Sequence, residues 1–342
     1  MSEALIYVVF AIGIVLPMAA GLIELAARRD DAALPVDESY SRDPRYLGKS
    51  LREKAQLLTK KAPVGVRVPY LARKQEFARV MDRLDLPNRG RFEDVVLARG
   101  PVVVGRDAAL LDVYAEAGAS LGANVRLRTL AADGDASVGE GVSMERWADV
   151  EGNFTIGGDA DLGRSACASQ ALIIGVNSRF LRLFGRPVTV GAPADAAAAA
   201  GPTAERVPML SSGDREIAVS TNELAAGETL IGDIICTNSV QLGPNSTIRG
   251  CVKSDRDITV GEGARVYGNL VAHGSILLGR GSIVFGHLFA EESLSIASGA
   301  IVGSAELPKT AYGGASIELE AGARIYGWAI TEGDGATVAA GA

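Results

Sequence analysis

IGDIICTNSVQLGPNSTI (231–248), RGCVKSDRDITVGEGARV (249–266), YGNLVAHGSILLGRGSIV (267–284) and FGHLFAEESLSIASGAIV (285–302) follow one another without a gap and share one pattern. Glycine holds the second position of each block (Gly232, Gly250, Gly268, Gly286), and apolar residues hold Ile234, Val252, Leu270 and Leu288 two places later. Further on come Val240, Ile258, Ile276 and Leu294, then Leu242, Val260, Leu278 and Ile296. The blocks close on Ile248, Val266, Val284 and Val302. An eighteen-residue period with alternating apolar positions is one coil of a β-solenoid. Successive strand residues point to opposite faces, so Ile258, Val260 and Val266 are expected inside, with Thr259 and Arg265 in water. The glycine columns are expected where the path turns between short strands.

The period extends upstream. Gly105, Gly122, Gly139, Gly157, Gly175 and Gly191 each follow an aliphatic residue: Val104, Leu121, Val138, Ile156, Ile174 and Val190. Ala/Pro-rich sequence from 192 to 221 then reads as a break between two lobes, closed by Gly201-Pro202. An insertion of five residues around Pro308 interrupts the downstream repeat, and Ser316 to Ile325 restores its phase. The fold class that follows is all-β: a parallel β-helix or solenoid of about 18-residue coils, upstream lobe 93–191 and downstream lobe 222–330. Residues 331–342 are Gly/Ala-rich and read as a disordered tail.

Ahead of the solenoid stands a different sequence. Ala4 to Ile23 is uncharged and apolar, long enough as a helix to cross about 30 Å of hydrocarbon. Residues 1–27 are therefore expected to be a transmembrane anchor, with Ile6, Val9, Ile12, Val15 and Leu22 facing lipid. Arg28 and Arg29 follow, and no basic residue precedes the span, which orients the body toward the cytoplasm. Residues 28–92 read as a basic linker with two amphipathic helices, one on Leu47, Leu51, Ala55 and Leu58, the other on Leu71, Phe77, Val80, Met81 and Leu84. From Arg42 to Arg91 fourteen Lys/Arg face five Asp/Glu, although the whole chain of 342 residues carries a net charge of −7. This neck suits either anionic lipid or packing on the first coil. With no aromatic platform between the basic residues and an acidic body, nucleic acid is not expected as a partner.

Ile258 to Ala272, with its aliphatic pair, its Gly-Ala at the corner and then aliphatic-x-Gly-x-aliphatic-x-Ala, resembles the repeat of the bactofilin family. The pattern returns from Ile276 to Ala290 and more weakly from Ile317 to Ile330. The resemblance covers about a third of the chain, from Glu228 to Thr331. It implies a bacterial cytoskeletal scaffold at the inner membrane that polymerises with itself and serves cell-envelope or cell-shape proteins. The expected assembly surface is the last coil at Tyr326, Trp328 and Ile330, with the first coil near Val95 to Val104 at the other end.

The rival reading is a hexapeptide-repeat acyltransferase, whose coil is of equal length. Its third hexad start is lost here to Ser254, Ala272 and Ala290. The two histidines, His273 and His287, occupy different slots, and adjacent Glu291 and Glu292 point to opposite faces. The reading taken is a non-enzyme with no catalytic residues, no cofactor and no metal. The three cysteines, Cys167, Cys236 and Cys251, are expected to be free thiols.

Overall fold

The structure, a computed structural model, describes residues 45–71, 76–191, 216–218 and 222–341. The proposed anchor and its lipid-facing residues Ile6, Val9, Ile12, Val15 and Leu22 lie outside the described residues, as does most of the break at 192–221. Among the described residues no helix is long and apolar enough to cross a membrane.

The body is a three-faced parallel β-solenoid in two lobes. In the downstream lobe each strand pairs with its equivalent one coil on: Ile234 with Val252, Val252 with Leu270 and Leu270 with Leu288 on one face. Val240, Ile258, Ile276 and Leu294 follow the same order on the next. Ile248, Val266, Val284 and Val302 do so on the third. All these side chains are buried. The inserted residues lie between Val302 and Lys309, after which Leu288 pairs with Ala311 and the phase resumes. In the upstream lobe the coils advance by sixteen to eighteen residues, Leu172 pairing with Val188, Val102 with Ala119 and Phe154 with Leu172.

The glycine columns do two separate jobs. At Gly250, Gly268 and Gly286 a Cβ would stand 2.0–2.2 Å from the carbonyl oxygen of the glycine one coil earlier, so close approach of coils excludes any side chain. The left-handed corner is elsewhere, at Gly227, Asn245, Gly263, Gly281 and Gly299, with φ between 56 and 74°. Glycine and asparagine tolerate that conformation at little cost.

Two expectations for the ends of the body are corrected, and a third finding concerns how the lobes join. The upstream lobe starts at Glu76, not 93: Leu71 to Leu84 is not a helix but the strands Arg67–Leu71, Glu76–Met81 and Leu84–Leu86. Ala78 and Val80 pair one coil on with Val95 and Leu97, and that ladder overrides the weak helical spacing. The tail is not disordered: the strand Arg324–Val338 runs through it. Finally, the lobes do not continue in one direction. The strand Arg179–Val190, which ends the upstream lobe, pairs antiparallel with Arg324–Val338, which ends the downstream lobe. The lobes therefore meet at their last coils, and one buried cluster runs unbroken from Leu84 to Ala329 through Phe180, Leu183, Val188 and Ile325.

Helix α1 (Tyr46–Lys61) lies on the outside of the upstream lobe. Leu51 and Ala55 pack on Ala78, Val80, Val95, Leu97, Tyr114 and Ala131. This covering explains why the strands Val95–Ala98 and Asp112–Ala115 are buried on both sides.

Candidate assembly surfaces and the groups that secure them

The residues expected to form a free end are held inside the chain. Tyr326 is 2% exposed, and Trp328 pairs with Phe184, their ring centroids 4.6 Å apart. Ile330 stands opposite Arg182 in the antiparallel ladder. Tyr326, Trp328 and Ile330 are thus brought together, but in a seam between lobes. The edge they offered is taken by Arg179–Val190 of the same chain. Thr337 closes the seam: its hydroxyl donates to the Gly175 carbonyl at 2.8 Å and accepts from the Ser178 amide at 2.9 Å. Its own amide donates to the Ser178 carbonyl at 2.9 Å. The paired residues Phe184-Gly185 and Gly327-Trp328 are the only local hint of this in the sequence; nothing in either segment alone announces the other.

Among the described residues, the strand edges with a neighbour on one side only are those of the two first coils and of Arg67–Leu71. In the downstream lobe these are Glu216–Ala218, Glu223–Leu224 and Thr229–Leu230, each bonded among the described residues only to the following coil. In the upstream lobe Arg67–Leu71 runs antiparallel along Glu76–Met81 and covers that face. Leu84–Leu86 and the bridge at Arg91 remain open among the described residues.

Much of the basic neck is occupied within the chain. Arg52, 7% exposed, donates to Asp133 and Asp149 at 2.8 Å each and to the carbonyls of Ala132 and Asp149. Arg45 reaches Asp149, Glu151 and Ser169. Burial alone would raise the Glu151 carboxyl, but the hydrogen bonds from Arg45 and Ser169 hold it below its ordinary value. Arg128 forms a forked pair with Glu76 and a second with Asp112, which also accepts from Thr129. Those carboxylates raise the Arg128 pKa further, locking its charge. Arg67 and Arg79 both neutralise the buried Asp94.

The histidines sit on neighbouring corners. His273 Nδ1 lies 3.0 Å from Glu291, and His287 Nδ1 accepts the Thr310 amide at 3.1 Å. His287 belongs to a ladder that slot reading of apolar residues missed. Asp233, Cys251 and Asn269 hold the same slot in earlier coils, and each accepts the amide of the residue one coil on. Recurrence of acceptor side chains at one period was the available signal. An Nδ1 acceptor must be unprotonated. Burial, then the charge of Lys309, lowers the His287 pKa accordingly. Among the described residues no group of His, Cys, Asp and Glu is arranged to hold a metal ion. Cys167, Cys236 and Cys251 form no disulfide. Compared with known protein families, curated proteins and solved structures, the chain finds no match.

Proposed function

We propose that this chain is a membrane-tethered scaffold that assembles with itself and positions cell-envelope or cell-shape machinery. The observation that carries the reading is a β-stack whose two outer coils have open strand edges among the described residues, with one continuous aliphatic interior between them. Open edges template further strands. The stretch from about Glu228 to Thr331 resembles the bactofilin repeat, and the apolar run from Ala4 to Ile23 followed by Arg28 and Arg29 supports a single inner-membrane span with the body on the cytoplasmic side. Because Tyr326, Trp328 and Ile330 are engaged in the seam, assembly falls to the first coils. Docking of α1 favours the packing role for that part of the neck over lipid attraction.

The test is negative-stain microscopy of the full chain in a non-ionic detergent, without nucleotide. Filaments, rings or rod-like oligomers are expected as concentration rises. Monomers alone, at every concentration and ionic strength, overturn the reading.

A further inference from the structure

The two open ends carry opposite charge. At the upstream end the exposed side chains include Lys60, Lys61, Arg67, Arg83, Arg89 and Arg91, against Asp82, Asp85 and Glu93. At the downstream end Glu223 and Glu228 are exposed, and Asn222 to Ile248 contains no Lys, Arg or His at all. Both ends are first coils, because the lobes meet at their last ones.

We infer that copies of this chain join basic end to acidic end, the upstream first coil of one copy on the downstream first coil of the next. This rests on the self-assembly reading and specifies its contact. The seam already displays the geometry required. There two terminal coils of the same chain pair antiparallel over registers from Arg179–Ala336 to Thr189–Arg324. A joint between two first coils reproduces that relation between strand directions. On the basic side Asp85 and Arg91 turn their amides and carbonyls outward among the described residues, because Leu84, Leu86, Gly90 and Phe92 bond to the next coil. On the acidic side Glu223 and Thr229 do the same. Joining like ends would instead set Arg89 and Arg91 against their own copies, or Glu223 and Glu228 against theirs. Like charges directly opposite across strands are destabilising. Exposed Val66 beside the basic end and Ile231 beside the acidic end, 42% and 51% exposed, supply apolar area at the joint. A contact between unlike surfaces is heterologous, so it closes into a ring or runs on as a polar filament.

The test blocks one end at a time in the full chain, in non-ionic detergent. One variant carries Arg83→Glu, Arg89→Glu and Arg91→Glu; the other carries Glu223→Lys and Glu228→Lys. Circular dichroism melting checks that each is folded. Mass photometry is expected to find each variant monomeric alone and, on mixing, oligomers in which the two alternate, because every end of one variant then meets an end of opposite charge on the other. A chain bearing both sets of reversals regains assembly. Raising salt to about 1 M weakens the wild-type joint by roughly tenfold or more, because screening shortens to about 3 Å. Homodimers formed by either blocked variant alone would overturn the unlike-end joint while leaving self-assembly standing. So would assembly of the blocked variants at wild-type strength. A wild-type chain that never assembles removes both.

Discussion

At the scale of single residues, the stack is limited by how closely its coils approach. Gly268 lies under the carbonyl of Gly250, with 2.2 Å to an added Cβ, and that obstacle is backbone, which cannot swing aside. Gly268→Val is therefore expected to cost about 1–3 kcal/mol or more in urea unfolding, whereas Thr259→Val, on the outward side of the same lobe, changes little. A corner side chain gives a second prediction. His287 accepts the Thr310 amide only when neutral, and its folded-state pKa is lowered by burial and Lys309. The unfolded ring titrates at about 6.5. Below that pH the unfolded chain takes up a proton that the folded chain resists, so stability is full above it and falls as pH drops toward the folded value. His287→Asn, which copies the acceptor Asn269 uses one coil earlier, should flatten that part of the melting-temperature profile between pH 7 and 5. An unchanged slope in the variant would show that His287 does not carry it.

At the scale of elements, the inward slots of 231–302 were legible because one residue serves one contact in every coil, and the period makes the contact visible. The elements that failed to be read are those whose partner lies elsewhere in the chain. Leu71, Phe77, Val80, Met81 and Leu84 can be laid on a helix, yet Val80 is committed by its pairing with Leu97 and by the weight of α1 above it. Glycine and alanine in 331–338 look like tail until Phe180 is placed beside Gly335, where nothing larger than hydrogen fits. Apolar spacing marks helix α1, but its docking depends on acids 81 to 106 residues away from Arg52 and Arg45. Arg52→Ala leaves Asp149, 3% exposed, with Arg45 at 2.6 Å as its remaining cation and strips the carbonyls of Ala132 and Asp149 of their guanidinium donor. A loss of about 1–3 kcal/mol is expected, with α1 amides exchanging early in hydrogen–deuterium mass spectrometry. Slow exchange in α1 would mean that apolar packing alone holds it. Thr337→Val keeps the shape but strands the Ser178 amide, at a cost of about 1–3 kcal/mol, read as faster exchange confined to the seam.

At the scale of the whole molecule, the seam decides whether two solenoids behave as one body. Coils touch only their neighbours, so stability is close to a sum of coils plus the contacts between them. The junction at Arg179–Val190 and Arg324–Val338 is then one such contact, but strand direction reverses there, as it does among the described residues elsewhere only where Arg67–Leu71 runs along Glu76–Met81. While it holds, the aliphatic interior is unbroken and heat should unfold both lobes together. Val260→Asp, a buried charge with no partner, costs roughly 2–7 kcal/mol and is expected to lower the melting temperature of the upstream lobe along with its own. Gly335→Val drives a side chain into the Phe180 carbonyl and ring and loosens the junction itself. Calorimetry of that variant should resolve two transitions, and adding Val260→Asp should then shift only the one belonging to the downstream lobe. A single transition at the wild-type temperature in Gly335→Val would mean that the lobes are joined by something other than this pair of strands.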